Sequence, residues 1–278
     1  MADHLKGKTI LITGGGSGFG RLVATKAAAR GARIVVSDIV EDALAETVDL
    51  IEKKGGKALG VRADVTDRTE MRAFAAKAVE HFGAVDVLVN NAGVMPLAFF
   101  ADHADADAAW DLCIDVNLKG VLHGISAVHD IMIEQGRGHV VNISSIYGNG
   151  PVPGAAVYGA TKAAVRFMSE ALRQESQGKI KVTTIRPTGV PTTALGGGII
   201  NPAAIGGVLG AGMGEFMEKM GEVFGESPPE HLTDPEKISY FALSAELLAD
   251  QIIFTIDQPW GVSISDLTVR ASGDSYML

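Results

Sequence analysis

Tyr158-Gly159-Ala160-Thr161-Lys162 sets a phenol and an ammonium four residues apart. On a helix, residues i and i+4 share one face, so the two groups can line a single pocket. A free tyrosine titrates near pH 10 and is a poor base at neutral pH. A neighbouring cation favours the phenolate, so Lys162 is expected to bring Tyr158 toward the working range of a general acid/base. Thirteen residues upstream, Ser145 closes the strand-like run Val141-Asn142-Ile143-Ser144-Ser145. A serine hydroxyl there can hydrogen-bond a reacting oxygen and orient it. Such a set would exchange a proton with the oxygen of an alcohol or a ketone. Ser144 and Tyr147 fall out of register with this spacing and read as decoys.

A second group of residues points to a phosphate. The run Lys8-Thr9-Ile10-Leu11-Ile12-Thr13 leads into Gly14-Gly15-Gly16-Ser17-Gly18-Phe19-Gly20 and then the helix-like Arg21-Leu22-Val23-Ala24-Thr25-Lys26. Glycines allow positive φ and close backbone approach to a pyrophosphate. The helix N-terminus that follows offers free N–H groups and a positive dipole end. Placed between a strand and a helix, the turn reads as a dinucleotide site. Gly14, Gly18 and Gly20 follow Thr-Gly-x3-Gly-x-Gly, not the commoner Gly-x-Gly-x-x-Gly. At the end of the second strand, Val35-Val36-Ser37-Asp38, the acid can accept hydrogen bonds from ribose hydroxyls and would repel a 2′-phosphate. No base follows it, since Ile39 and Val40 come next. NAD is therefore expected rather than NADP.

These groups need a scaffold, and the rest of the chain spells one out. Compact apolar runs at Lys8–Thr13, Arg33–Ser37, Ala58–Arg62, Val85–Asn90, His139–Ser144, Lys181–Arg186 and Val262–Val269 read as strands covered on both faces. Helical patterns fall between them at 18–30, 41–54, 67–82, about 105–134, 157–177 and about 234–257. This alternation predicts an α/β fold: a single doubly wound Rossmann domain over 1–278, with a seven-stranded, mainly parallel sheet and helices on both faces. Ligands then belong at the carboxyl ends of the strands. The irregular stretch 188–233 follows a strand end and reads as a substrate lid. Within it, Gly214–Met220 is expected to form a short amphipathic helix.

The Gly14 turn, Asn91-Ala92-Gly93 after the fourth strand and the Ser-x12-Tyr-x3-Lys spacing together resemble the short-chain dehydrogenase/reductase (SDR) family, over about residues 6–193. The resemblance implies roles. Tyr158 would be the acid/base, and Lys162 would lower its pKa and bind the nicotinamide ribose. Ser145 would hold the substrate oxygen, and Asn117 would support a proton-relay water. Gly14, Ser17, Gly18, Phe19 and Gly20 would cradle the cofactor, with Asp64 and Val65 at the adenine and Asn91, Ala92 and Gly93 on the nucleoside side. Ser17 fills a turn position where NADP-using relatives often carry a base. Pro187, Val190 and Thr192 match the family's carboxamide-contacting Pro-Gly-x-Val-x-Thr, but Thr188 replaces its glycine. Homo-oligomers, tetramers or dimers, would form through the helices at about 105–134 and 157–177. The stretch Gln258-Pro259-Trp260-Gly261-Val262 is similar to the C-terminal end of one subset of the family.

Composition excludes other classes. With 24 basic and 33 acidic residues, the net charge of −9 gives no diffuse attraction to nucleic acid or an anionic membrane. The uncharged stretch 187–214 holds nine glycines and three prolines, so it reads as a mobile loop and not a membrane span. One cysteine, Cys113, precludes an internal disulfide framework, reads as a small buried hydrophobe and fits a reducing cytoplasm. The seven histidines show no metal-ligand spacing, and His123 and His129 read as surface or interface residues. The Asp102–Asp107 cluster reads as a solvated helix start. For each of Met95, Phe99, Phe100 and Trp260, a place on a substrate pocket and a place in the core fit the sequence equally well. The leading expectation is an NAD-dependent oxidoreductase interconverting a secondary alcohol and a ketone. The apolar lid residues Ile199, Ile200, Leu209, Phe216, Met217 and Met220 suggest a hydrophobic small-molecule substrate, whether alicyclic, aromatic, terpenoid or steroid. A 3-oxoacyl-(acyl-carrier-protein) ketoreductase is the alternative, counted against by Asp38 and the acidic charge. A non-catalytic dinucleotide sensor is the remote one.

Overall fold

Seven parallel strands stand in the order β3-β2-β1-β4-β5-β6-β7: β1 Thr9–Thr13, β2 Arg33–Asp38, β3 Lys57–Arg62, β4 Val87–Asn90, β5 Gly138–Ile143, β6 Ile180–Pro187 and β7 Asp266–Val269. The computed structural model describes residues 3–191 and 193–278. Every residue of β1, β4 and β5 is buried, as the compact apolar runs require. Alternate side chains feed two cores. Ile10, Ile12, Ile34 and Val36 meet helices α1 (Gly18–Ala29), α2 (Glu41–Glu52) and, far along the chain, α10 (Ala245–Ile256). Leu11, Val35 and Val61 face the opposite way. They pack on α3 (Arg68–Phe82), α5 (Gly120–Glu134) and α6 (Ala156–Glu175). The chain leaves β3 at one edge and returns as β4 beside β1, so the sheet reverses its winding between β1 and β4. A crevice opens at such a switch point, outside the carboxyl ends of the strands.

Local chemistry explains where elements start and stop. Asp67 caps α3 by accepting from the N–H groups of Thr69 and Glu70, and Gly83 ends it with a φ of 81°. The expected helix at about 105–134 is two helices, α4 (His103–Ile114) and α5, joined by a π-helical turn at Asp115–Lys119. The expected helix at about 234–257 starts only at Ala245. Asp234 Oδ1 accepts from Glu236 N, Tyr240 Oη accepts from Ser244 N, and Ser244 then caps α10 through Leu247 N. The last strand likewise begins at Asp266 and not at Val262. Lys181 Nζ donates to the carbonyls of Pro259 (3.2 Å) and Val262 (3.0 Å), and Thr183 Oγ1 to that of Ile264, so side chains replace the ladder there.

The glycine-rich stretch expected as a mobile loop is folded in its described part. It makes 3-10 turns at Ala194–Gly198 and Pro202–Ile205 and the short α7 (Gly206–Leu209), and α8 (Met213–Val223) covers the amphipathic segment. α9 (Glu230–Thr233) follows. Val208, Leu209, Phe216 and Leu232 bury against Leu97, Ile146, Tyr147 and Tyr158, forming a third apolar cluster over the strand ends. Among the described residues, no helix is long and apolar enough to cross a membrane.

Candidate active site

A cleft of about 650 Å³ runs across the carboxyl ends of the strands, from the Gly14 turn to the apolar cluster under α8. Gly14, Ser17, Gly18 and Phe19 line one end. Gly14 and Gly18 have φ values of 63° and 50°, and nothing lies within 4 Å of where a Cβ on Gly18 would project. Gly20 does not reach the cleft. A Cβ there would sit 2.2 Å from the Gly14 carbonyl oxygen, so its role is to let α1 press against the turn. Gly20→Ala must open that contact, and overpacking of this kind costs about 1–3 kcal/mol. The expected result is a roughly tenfold or greater rise in the Kd for the dinucleotide that the turn is expected to cradle, read by calorimetry.

Side chains fix the rest of the turn. Asp38 lines the cleft while its two oxygens accept from Gly16 N (3.0 Å) and Val40 N (3.1 Å). Asn91 Nδ2 donates to the carbonyls of Thr13 (2.9 Å) and Gly14 (3.0 Å), stapling the end of β4 to the turn. Arg21 donates to the carbonyls of Gly16 and Ala43, to Thr47 Oγ1 and to Glu46. Asp64 and Val65 form another part of the wall. His123, expected as a surface or interface residue, is buried within the chain, with Nδ1 2.9 Å from the Val65 carbonyl, and so holds that wall to α5. Its signal was hidden because only tertiary packing brings Val65 to α5.

Ser145, Tyr158 and Lys162 line the same cleft and are buried, at 5%, 3% and 5% exposure. Two glycines make their approach close. A Cβ on Gly159 would meet the Tyr147 carbonyl at 2.8 Å, and one on Gly148 would meet Ala163 N at 2.8 Å. The 3-10 turn Ile146–Gly148 after β5 thus lies directly on α6, with Ser145 capping it through Tyr147 N. Ser144, the neighbour out of register, donates instead to the Lys162 carbonyl at 2.8 Å.

The electrostatics differ from the simple expectation. Burial dominates at Tyr158 and raises its pKa above the ordinary tyrosine value; the Ser145 hydroxyl opposes this, and Tyr147 and Cys113 add to it. Lys162 is not among the groups that lower it. Its Nζ lies 5.7 Å from the centre of the Tyr158 ring and donates to the Ile143 carbonyl at 3.0 Å. Burial brings Lys162 itself down to about 8. At pH 7 the ammonium form still leads by about ten to one.

Asn117 sits in the π turn, fully buried, behind the cleft wall and not on it. Its Oδ1 accepts from Val94 N (2.9 Å), and its Nδ2 donates to Val94 O (2.8 Å) and Cys113 Sγ (3.2 Å). The side chain clamps the segment after Asn91-Ala92-Gly93, whose three residues do line the cleft. Pro187 and Val190 line it as well, while Thr192 lies outside the described residues. Thr188, which departs from the family pattern, also lines the cleft, and its Oγ1 is buried with no partner among the described residues.

At the apolar end, Met95, Ile199, Phe216 and Met220 line the cleft. Leu209 and Ile200 are committed to packing, and Met217 faces outward. Phe100 is exposed against Trp110, and Phe99 packs on the third cluster. Trp260 stacks with Lys8, Arg137 and Lys181, away from the cleft. Asp102 is more than a solvated helix start, since its Oδ2 accepts from Phe99 N and from Asn201 Nδ2 of the covering segment. Sequence reasoning missed Leu97, Leu112, Val116, Ile205 and two further tyrosines, Tyr147 and Tyr276, all on the cleft wall.

A parallel sheet with a glycine turn at its switch point and a Tyr-x3-Lys helix beside it defines a class, and the chain belongs to it. The short chain dehydrogenase family model matches residues 8–199, so the protein is an oxidoreductase of the SDR family. An uncharacterised oxidoreductase of Listeria monocytogenes is 32% identical over 98% of this chain and 99% of its own. The 2,5-dichloro-2,5-cyclohexadiene-1,4-diol dehydrogenase of Sphingobium indicum is 39% identical over 69% of this chain and 76% of its own. Among solved structures, levodione reductase superposes with a TM-score of 0.77 at 26% identity, covering 96% of this chain and 97% of that one.

Proposed function

We propose that the protein is an NAD-dependent dehydrogenase that interconverts a secondary alcohol and a ketone on an apolar, ring-bearing substrate. One observation carries this reading: Ser145, Tyr158 and Lys162 share one cleft with the Gly14 turn, and the space beyond them is walled by apolar side chains. The residues suit a dinucleotide. Gly18 leaves its approach open, Asp38 lines the same cleft with a carboxylate suited to ribose hydroxyls, and Thr188 Oγ1, beside Pro187, has no partner among the described residues. When bound, NAD supplies the acceptor and donor of hydride. Ser145 Oγ hydrogen-bonds the substrate oxygen, the Tyr158 phenol gives that oxygen a proton in reduction, and the Tyr158 phenolate takes the hydroxyl proton in oxidation. Lys162, anchored on Ile143, keeps a positive charge beside the phenol. Asn117 acts as a positioning residue through Val94. The covering segment within 188–233 serves as the lid that excludes water from this exchange.

Asp38 supports NAD over NADP, and so does Arg21, whose guanidinium is spent on the turn and on α2. A 2′-phosphate would meet the Asp38 carboxylate, and among the described residues no Lys or Arg lines that end of the cleft to offset it. The test is a panel of cyclic secondary alcohols and ketones, with 3-oxoacyl thioesters as controls, assayed with both cofactors at the nicotinamide absorbance band. NAD is expected to be preferred by about tenfold or more in kcat/KM, and Asp38→Asn to narrow that ratio by about tenfold. Turnover confined to NADP and thioesters would replace this reading with the ketoreductase one.

Exposed apolar side chains on two helices support self-association. Phe167 on α6 is 80% exposed and Leu122 on α5 is 41% exposed. Such a surface fits a homo-oligomer built through these helices.

A further inference from the structure

The cleft holds a phenol from the far end of the chain. After β7 the chain doubles back, and Arg270 fastens it by donating to the carbonyls of Tyr276 (2.6 Å) and Leu278 (2.5 Å) and to Asp274 Oδ1 (2.6 Å). Met277 N donates to the Val208 carbonyl at 3.2 Å, tying this tail to the covering segment. The Tyr276 ring then lies 5.7 Å from that of Phe216, and its hydroxyl reaches Gly189, just past the end of β6. A Cβ on Gly189 would fall 1.8 Å from the phenol oxygen, so the space it occupies exists only because residue 189 has no side chain. Tyr147, from the turn after β5, sets its ring edge-to-face with Tyr158 at 5.5 Å between centres.

Tyr147 and Tyr276 both line the cleft, and among the described residues neither hydroxyl has a hydrogen-bond partner. Neither belongs to the sealed polar atoms of the interior either, so both open on the cavity. Two phenol hydroxyls that face an apolar cleft, each able to donate and accept, can hydrogen-bond an oxygen of the ligand. Burial pushes Tyr147 up to about 12 and raises Tyr276, with Tyr147 adding to the rise, so both remain neutral donors. Among the described residues, Lys162 is the one basic side chain on the cleft wall, which disfavours a charged acid as that partner.

We propose that Tyr147 and Tyr276 form a second oxygen-binding subsite, so that the substrate carries, besides the reacting oxygen at Ser145 and Tyr158, another hydroxyl or carbonyl on an apolar ring. This rests on the dehydrogenase reading above and narrows its substrate class to diols, hydroxyketones and diones. It also gives the C-terminal tail a role in choosing the substrate.

The experiment compares cyclohexanediols with cyclohexanol, using NAD, in the unsubstituted protein and in Tyr147→Phe, Tyr276→Phe and Gly189→Ala. The intact protein is expected to favour its best diol by about tenfold or more in kcat/KM, and each Phe variant to reduce that ratio by about tenfold. Gly189→Ala, which must displace the phenol, should reproduce the effect of Tyr276→Phe without removing any hydroxyl. Calorimetry of the same alcohols with the NADH-loaded protein gives a readout free of turnover, and the diol should again bind more tightly and lose that margin in the variants. No diol preference in the intact protein, or a preference untouched by both Phe variants, overturns the subsite. If no alcohol is oxidised with either cofactor, the dehydrogenase reading falls, and calorimetry still decides the subsite.

Discussion

Tyr158→Phe is expected to lower alcohol oxidation by about a thousandfold or more while leaving the Kd for NAD within about twofold. General acid/base catalysis contributes about 10²–10⁴ in rate, the upper half of which is over 4 kcal/mol of barrier. The larger end applies because the substrate oxygen is expected between Ser145 and Tyr158, and the serine hydroxyl is no base at neutral pH. Tyr147 is the nearest phenol, yet burial holds it neutral as well. Removing one oxygen from a ring that stays packed against Tyr147 should not disturb the fold. The pH profile is the sharper readout. Burial holds Tyr158 protonated at neutral pH, so oxidation, which needs the phenolate, should climb with rising pH. Reduction, which needs the phenol, should not. Tyr158→Phe should flatten the climb, and near-normal turnover in that variant would remove the tyrosine from the mechanism.

Lys162→Met is expected to abolish turnover and yet make the protein more stable. Lys162 titrates at about 8 in the fold against 10.5 in a free chain. Between those values the unfolded chain binds more protons, so stability rises with pH across that window, and below about pH 8 the full cost applies. That cost is about 3 kcal/mol. Leaving the Ile143 carbonyl without its donor returns about 1–3 kcal/mol of it. A net gain of about 1 kcal/mol remains, roughly 2–4 °C in Tm. The melts should be run at about pH 7 and about pH 10. The variant's advantage should be present at the lower pH and shrink at the higher one. An advantage independent of pH would mean that repacking, and not the buried charge, is responsible. A protein that retains a costly buried ammonium next to its phenol is expected to need it for chemistry.

How much could be read without coordinates depended on how far apart in the chain the interacting residues lie. The Gly14 turn, Tyr158 with Lys162, and the alternation of strands and helices are short-range patterns, set by φ preferences, by the i,i+4 geometry of one helix and by apolar period. The seven-stranded sheet and its helices on both faces were legible for that reason. Boundaries were less so where side chains intervene. The start of α10 depends on Ser244 and Tyr240, and that of β7 on Lys181 reaching across from β6. The break at Asn117 arises because its amide is taken by Val94, 23 residues earlier.

The sequence by itself determined that the chain would fold as a doubly wound sheet and carry a phenol, an ammonium and a serine at spacings suited to oxygen chemistry, because those relations are local. The tertiary structure alone decided three things. Lys162 turns to Ile143, so burial governs the tyrosine more than the lysine does. His123 supports the wall at Val65. Tyr147, set aside on spacing, and Tyr276, which reaches Gly189 from the tail, line one cleft. Each of these depends on which distant surfaces exclude water together, and no pattern of neighbouring residues encodes that.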